Sequence, residues 1–309
     1  MISFENVSKF ILRDVNIHIP KGIALGIIGA TGSGKTTFIK LCCGLLVPSE
    51  LKGEDTASGR GNIYVMGYRP ASMAEYIRTY IGALFADIPN LQSEENVANN
   101  FDNLRFIYRL DKSIFKERYD RLSKRLCFDS FQYEKVSSLS LGQRRRVELG
   151  AALIHNPKLL LLDEPTIGID QAGKETVREL IREREAAGLT TIVTSHDMAD
   201  IADVCSRICI LDKGRICYYG DKDILFKRYA PVDIMHITLQ DKIPDLEDLP
   251  VKNYQIDGNE LKLIYNSNHI TSAEILKAIM PKCPIKEISI HKPNLTDVIM
   301  KIERGITDE

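Results

Sequence analysis

Hydrophobic residues recur along the chain in two rhythms, one typical of buried strands and one of amphipathic helices. Short apolar runs at 23–28, 159–162, 191–194 and 208–211 alternate with stretches whose apolar residues repeat every three or four positions. Strands that alternate with such helices predict a mainly parallel sheet covered by helices. The first twenty residues instead alternate apolar and polar positions, which predicts two strands. The fold class is therefore α/β.

Residues 94–125 carry apolar side chains on one helical stripe that includes Val97, Phe101 and Ile107, while charges cover the other faces. A helix with one apolar stripe buries that stripe against other elements. The pattern predicts a helical subdomain, which we place at about residues 88–155.

After residue 230 apolar and polar positions alternate, which is typical of strands, and a hairpin is predicted to turn at Asp257-Gly258. A helix opened by the capping box Thr271-x-x-Glu274, a strand at 285–290 and a last helix from about residue 294 are expected to follow. We therefore predict two domains. The first spans 1–228, and the second, 231–309, is a small α+β accessory domain.

The composition is that of a folded globular chain, with 309 residues, 44% of them hydrophobic and 27% charged. The 41 basic residues nearly cancel the 42 acidic ones, so no overall field attracts nucleic acid or an anionic membrane. The apolar runs are far shorter than the roughly 18 residues that span a bilayer, and the start of the chain lacks the apolar segment of a signal peptide.

Seven cysteines occur without a CxxC pair, which indicates reduced thiols rather than disulfides or a metal site. We expect all seven to be small core residues. They are Cys42, Cys43, Cys127, Cys205, Cys209, Cys217 and Cys283.

Residues 29–36, GATGSGKT, match the P-loop pattern GxxxxGK[ST] between a predicted strand and a predicted helix. Glycines allow the backbone to curl so that its N–H groups point at phosphates, and the helix N-terminus adds positive potential. Lys35 is predicted to reach the β and γ phosphates and Thr36 to ligate Mg²⁺. A plain glycine turn is the weaker alternative, because the loop lies where the mechanism needs it.

The apolar strand at 159–162 ends in Asp163 and Glu164. We expect Asp163 to hold Mg²⁺ through water, and Glu164 to orient and deprotonate the water that attacks the γ phosphate. A carboxylate pair at a strand end is otherwise often a solvated turn, but the P-loop favours the catalytic interpretation. Before this strand in the chain, Ser140-x-x-Gln143 forms a capping box at a helix start, and such a start with Ser and Gly also binds phosphate.

The P-loop, LSLGQ at 139–143, LLLLDEP at 159–165 and TSHD at 194–197 occur in an order and spacing that resemble the ATP-binding cassette (ABC) transporter ATPases. The resemblance covers about residues 1–228. It implies a P-loop ATPase fold with a mainly parallel core sheet, an antiparallel β subdomain and a helical subdomain. It also implies that the chain binds ATP and Mg²⁺. The phosphate cradle would comprise Gly29, Thr31, Gly32, Ser33, Gly34, Lys35, Thr36 and Thr37.

The resemblance also implies a head-to-tail dimer with a second ABC ATPase subunit, most simply a homodimer. Ser140, Gly142 and Gln143 would contact the γ phosphate of ATP bound to that subunit. His196 would be the switch histidine that holds the γ phosphate and the catalytic water, and Asp170 would lie in the loop that signals between the two sites.

Phe10 lies where the family places an aromatic ring against adenine, although a core position is the open alternative.

Two departures from the family pattern stand out. Leu141 replaces the first glycine of LSGGQ, and Ala86-Asp87 occupies the place of a glutamine that reaches Mg²⁺ and reports to the membrane subunit. We hypothesise that Asp87 supplies part of that role, and the alternative that it merely ends a strand before Pro89 stays open.

The resemblance implies an ATPase subunit that drives a separate integral membrane permease and lies peripherally at the cytoplasmic face of the cell membrane. Residues 287–299 are similar to the end of bacterial exporter-type ATPases with a C-terminal extension, which favours export over import. One alternative is a nucleotide-binding regulator with low turnover. Another is a ribosome- or DNA-associated ABC protein, which the single cassette, the lack of sustained heptads and the neutral charge disfavour.

Overall fold

A computed structural model describes residues 1–48, 61–195, 201, 204–229, 232–240, 251, 254–266 and 269–291. The chain divides into a first unit, Met1–Lys222, and a second unit, Asp223–Glu309. The elements of the first unit are β1 (Ile2–Lys9), β2 (Leu12–Ile19), β3 (Ala24–Ile28), α1 (Lys35–Cys42), β4 (Asn62–Val65), α2 (Ala74–Arg78), β5 (Ile81–Leu84), α3 (Val97–Ile107), α4 (Lys112–Arg125), α5 (Leu141–Leu153), β6 (Leu159–Asp163), α6 (Gln171–Ala186), β7 (Thr190–Ser195), β8 (Arg207–Asp212) and β9 (Arg215–Asp221).

The central sheet of the first unit has the strand order β5-β6-β7-β3-β8-β9. The strands from β5 to β8 in this order run parallel, and β9 returns antiparallel to β8. Each residue of β3, β6 and β7 is buried, as expected for parallel strands covered on both faces. The carboxyl ends of β3, β6 and β7 consequently meet at one edge of the sheet, where ligands bind in open α/β sheets.

A second sheet of order β2-β1-β4 is antiparallel and contains the two strands that the alternating pattern predicted. Its inward-facing residues join the same core as the helix that follows β3. Phe4 of β1 stacks on Phe38 of α1, with ring centroids 4.4 Å apart. This contact ties the antiparallel sheet to the helix that begins at the P-loop.

The stretch 94–125, predicted to be helical, contains the two helices α3 and α4. Arg109 has φ 51°, outside the helical range, and the side chain of Asp111 accepts hydrogen bonds from the N–H groups of Ser113 and Ile114 to start α4. The predicted apolar stripe is correct at Val97 and Phe101, which are fully buried. It is wrong at Ile107, which is 67% exposed because the chain turns away at the end of α3.

The second unit contains α7 (Lys222–Tyr229), β10 (Val232–Leu239), β11 (Tyr254–Asp257), β12 (Glu260–Asn266), α8 (Ser272–Ile279) and β13 (Ile285–His291), and α7 starts on the last residue of the first unit. Its antiparallel sheet has the order β11-β12-β10-β13 and shares a core of its own with α8. The predicted hairpin turns at Gly258, which has φ +62°, and the predicted capping box opens α8. The last helix expected from residue 294 lies outside the described residues.

The expectation for the cysteines is correct for five of the seven. Cys127 and Cys217 are exposed, because each lies in a turn or at a sheet edge rather than under a covering layer. In the part of the chain that the structure describes, no helix is both long and apolar enough to cross a membrane.

Candidate functional site

The loop at residues 29–34 connects the buried strand β3 to α1, as the P-loop pattern requires. Gly32 and Gly34 have φ +84° and +113°, a region that side chains rarely adopt. A Cβ on Gly34 would also lie 2.5 Å from the side chain of Leu12. Around Gly32 the space within 4 Å of such a Cβ holds no atom of the described chain. The glycines therefore shape an open concave loop at the N-terminus of α1.

Lys35 lies at the centre of this loop and is 7% exposed. Its ammonium donates hydrogen bonds to the carbonyl oxygens of Gly29 (2.8 Å) and Ala30 (3.3 Å). It also lies 3.7 Å from Oε1 of Glu164. The cation is thus held where the phosphate-binding loop and the carboxylate strand meet.

Asp163 is completely buried at the end of β6 and accepts two hydroxyl hydrogen bonds. Thr36 donates to its Oδ2 at 2.7 Å, and Thr194 donates to its Oδ1 at 2.6 Å. Nearby, the buried Oγ of Ser33 has no hydrogen-bond partner among the described residues. Hydroxyl and carboxylate oxygens with one orphaned buried oxygen are the donor set that Mg²⁺ with phosphate would satisfy. The residues present therefore fit a magnesium nucleotide.

Glu164 follows directly and has φ 52°, an unusual conformation for a residue with a side chain. Such a residue carries on the order of 1–3 kcal/mol of strain that its surroundings must hold. Here the backbone N–H of Glu164 is shared between the carbonyl oxygen and Oγ1 of Thr194, at 3.2 and 3.1 Å. This bend turns the Glu164 side chain toward Lys35 instead of continuing the strand.

The predicted phosphate contacts at 140–143 form the start of α5. The Ser140 side chain caps the helix by accepting from the Gln143 N–H, and Oε1 of Gln143 accepts a hydrogen bond from the Ser140 N–H. A Cβ on Gly142 would lie 2.5 Å from the carbonyl oxygen of Gly168, so only glycine fits there. Residues 140–143 line a cavity of about 430 Å³ together with Arg146 and Asp170.

Asp170 caps the N-terminus of α6 by accepting a hydrogen bond from the Gly173 N–H at 2.9 Å. It also forms an ion pair with Arg146 of α5. The Gly173 N–H and, to a lesser degree, the Arg146 guanidinium hold the pKa of the Asp170 carboxyl below its ordinary value. The predicted signalling residue therefore connects α6 with the helix that carries the predicted phosphate contacts.

Two predicted residues, Phe10 and Asp87, lie apart from the cluster around Lys35, and a third lies outside the residues that the structure describes. Phe10 is 74% exposed in the turn between β1 and β2, so the core alternative is wrong and its ring is accessible to a ligand. Asp87 forms an ion pair with Lys40 at 2.7 Å, one helical turn beyond Thr36 on α1, and its role at the metal stays a prediction. His196 lies outside the described residues.

The sequence did not indicate two residues that the structure brings into contact with the candidate site or with its neighbouring segment. Thr194 is paired in register with Asp163 across the parallel strands β6 and β7, and a polar residue at the end of a buried strand was the available signal. Arg145 is 6% exposed on α5 and donates to the carbonyl oxygens of Phe85 and Ala86. In the sequence it lies within Arg144-Arg145-Arg146, and a run of basic residues gives no sign of a buried position.

Comparison with known proteins agrees with this geometry. The model of the family described as ABC transporter matches residues 12–167. The glucose import ATP-binding protein GlcV of Saccharolobus solfataricus is 33% identical over 80% of this chain and 69% of its own length. The Nod factor export ATP-binding protein I of Bradyrhizobium diazoefficiens is 26% identical over 95% of this chain and 92% of its own.

Among solved structures, the dimeric ATP-binding cassette MJ0796, bound to ADP and Pi in a post-hydrolysis state, has a TM-score of 0.62 and 26% identity. The similarity covers 72% of this chain and 99% of that one. It thus extends over a whole solved cassette.

Proposed function

This chain belongs to the ABC transporter family as an ATP-binding subunit that hydrolyses ATP, and we propose that it powers export through a separate membrane permease. The observation that carries the catalytic part is the cluster of Lys35, Thr36, Asp163 and Glu164 around one loop. Cation, hydroxyl and two carboxylates at a helix N-terminus are the parts that phosphoryl transfer needs.

The P-loop residues bind the triphosphate. Backbone N–H groups after Gly32 and the N-terminal end of α1 provide positive potential, and Lys35 adds a cation at the β and γ phosphates. Thr36 and Asp163 would hold Mg²⁺, which when bound neutralises charge on the phosphate oxygens. Phe10, exposed two residues before Leu12, whose side chain lies against Gly34 of this loop, would stack on adenine.

Glu164 acts on the attacking water. Its carboxylate orients the water in line with the γ phosphate and accepts a proton as the new P–O bond forms and the bond to ADP breaks. His196 would hold the γ phosphate and the same water. Asp163 is buried and accepts hydrogen bonds from two hydroxyl groups, and it would hold the metal rather than transfer a proton.

A second subunit would complete each site. Ser140, Gly142 and Gln143 are at a helix N-terminus in an open cavity, which suits a γ phosphate presented by the P-loop of the partner. We infer a head-to-tail homodimer that closes on ATP and reopens after hydrolysis. Closure would move the permease, and the chain would lie peripherally at the cytoplasmic face of the membrane.

The proposal of export is supported by how much of each chain aligns with an exporter relative and with an importer relative. The exporter relative aligns over nearly all of both chains, whereas the importer relative leaves about a third of its own length outside the match. We place the nucleotide-binding domain at 1–228 and an accessory domain at 231–309. The separate core of the second unit supports this division, and contacts between dimer subunits or regulation would be its role.

The test of catalysis is phosphate release by the full-length chain with Mg²⁺ and ATP. Glu164→Gln keeps the shape of the side chain but removes the base, so turnover should fall at least 100-fold while ATP binding persists. With ATP, this variant should also elute as a stable dimer. Glu179→Gln, an exposed position on α6, is the matched control and should behave as the unaltered chain.

A nucleotide-binding regulator with low turnover is the second candidate, favoured by Asp87 at the usual glutamine position and by its ion pair with Lys40. Turnover that does not depend on Glu164, even with the co-purified permease present, would favour this regulator. Transport by inside-out vesicles that contain the permease would decide direction, because export predicts ATP-dependent accumulation inside them.

A further inference from the structure

Thr194 joins the two carboxylate residues of the hydrolytic site through one hydroxyl group. Its Oγ1 donates to Oδ1 of Asp163 at 2.6 Å and accepts from the N–H of Glu164 at 3.1 Å. A hydroxyl has one proton, and here that proton is committed to Asp163, which leaves a lone pair for the Glu164 N–H. Both contacts are consequently satisfied by one orientation of the side chain.

The surroundings make this orientation rigid. Thr194 and Asp163 are each 0% exposed and are paired in register across β6 and β7. A β-branched side chain on a strand has restricted χ1 freedom, and water does not reach the pair to replace a lost hydrogen bond. The polar link is thus enclosed between two strands of the core.

The first consequence concerns Asp163. Thr194 occupies Oδ1, so Oδ2 is the oxygen that faces Thr36, whose hydroxyl donates to it at 2.7 Å. Without this contact the carboxylate would be free to rotate about χ2, since that torsion is broad and nearly two-fold. Thr194 therefore determines which oxygen points to the predicted metal ligand on α1.

The second consequence concerns Glu164, whose backbone has φ 52°. This conformation places the Glu164 side chain 3.7 Å from the Lys35 ammonium. A strained residue persists only when its surroundings hold it, and both acceptors of its N–H belong to Thr194. The hydroxyl contributes one of these two acceptors.

We propose that Thr194 is a positioning residue for ATP hydrolysis, which sets the metal-facing oxygen of Asp163 and the bend at Glu164 through a single hydroxyl. The proposal rests on the proposed roles of Asp163 and Glu164. It assigns to the strand before the switch histidine a polar function beyond its place in the core.

Thr194→Val tests the hydroxyl at nearly constant shape. We expect kcat to fall by roughly tenfold or more, because a buried hydrogen bond to a charged group is lost, whereas KM for ATP changes less than threefold. The Mg²⁺ concentration for half-maximal hydrolysis should rise several-fold. Thr194→Ser keeps the hydroxyl. Its kcat and its Mg²⁺ concentration for half-maximal hydrolysis should therefore lie within about twofold of those of the unaltered chain.

Binding provides a readout that does not depend on turnover. A fluorescent ATP analogue should bind Thr194→Val as it binds the unaltered chain in EDTA, and the additional affinity conferred by Mg²⁺ should be reduced. Thr191→Val is the matched control on the same strand. Thr191 is also buried and its hydroxyl accepts from Arg184 at 3.2 Å, away from the site, so this variant should keep the Mg²⁺ dependence of the unaltered chain.

If Thr194→Val does not fold, Thr194→Ala is compared with Thr194→Ser instead, because these two variants differ by the hydroxyl alone. Thr194→Ala should then show the lower kcat and the higher Mg²⁺ requirement expected of Thr194→Val. The proposal is overturned if the variant without the hydroxyl keeps its kcat and Mg²⁺ dependence. It is also overturned if Ser does not rescue. Glu164→Gln in the same assay separates the two ideas, because loss there with normal Thr194→Val kinetics leaves the catalytic assignment intact and rejects only this proposal.

Discussion

Arg145 on α5 donates a hydrogen bond to the backbone carbonyl oxygen of Phe85 at 2.7 Å, across 60 residues of sequence. The same guanidinium pairs with Glu148 at 3.0 Å, and both side chains are less than 10% exposed. Arg145 therefore attaches the helix that begins with the predicted phosphate contacts to the segment that precedes Asp87.

Arg145→Met should destabilise the first unit by about 2–3 kcal/mol, because a buried carboxylate and two carbonyl oxygens lose a donor. Urea unfolding of the full-length chain, followed at the transition of that unit, measures the loss. Arg144→Met is the control, since Arg144 bonds to the same Glu148 but is much more exposed. Equal losses in the two variants would contradict the special place of Arg145.

Phe10→Ala should weaken ATP binding by roughly tenfold, because stacking of a base on an aromatic ring contributes about 1–3 kcal/mol. Its melting temperature should be unchanged, since the ring is 74% exposed. Phe10→Tyr retains the ring and should bind as the unaltered chain does. Titration with a fluorescent ATP analogue, beside a thermal melt, checks both expectations, and unaltered affinity in Phe10→Ala would remove Phe10 from the adenine site.

His155 makes stability dependent on pH. It is buried at the end of α5, donates from Nε2 to the Ile81 carbonyl oxygen at 3.1 Å and stacks on Tyr108. Burial lowers its pKa from 6.5 to about 4. The unfolded chain then binds more protons between these values, so the free energy of unfolding falls as pH drops from about 6.5 to about 4.

This pKa shift lowers the free energy of unfolding by about 3 kcal/mol at the acid end of that pH range. His155→Gln, which can still donate to Ile81, should lose this part of the pH dependence in urea unfolding at pH 7, 6, 5 and 4. His18→Gln, at an exposed position, should keep it. A pH profile of His155→Gln that coincides with that of the unaltered chain would show that the histidine is not responsible.

Asp87→Ala should lower Mg²⁺-dependent ATP hydrolysis several-fold if its carboxylate contributes at the metal, as we hypothesise from its position in the chain. Lys40→Met removes the ion pair of 2.7 Å but keeps that carboxylate, which is 57% exposed. A pair with such an exposed partner contributes about 1 kcal/mol or less to stability. Hydrolysis should therefore persist in Lys40→Met. Unchanged hydrolysis in Asp87→Ala would reject the hypothesis.

The sequence by itself determined the parts that depend on contiguous residues. The P-loop, the strand that ends in Asp163-Glu164 and the capping box at Ser140 are each encoded within about ten positions, since strand, turn and helix signals are local. The α/β class and the two-part organisation followed from the same periodicity.

Only the tertiary structure decided which of these parts meet. Periodicity indicates that the strands at 159–163 and 190–195 are buried, but not that they are neighbours in register, and Thr194 reaches Asp163 only because they are. Arg145 likewise becomes a buried anchor because α5 packs beside the end of β5. The local pattern predicts which strand residues are buried, whereas a hydrogen bond between distant residues depends on sheet order and register, which hydrophobic spacing does not encode.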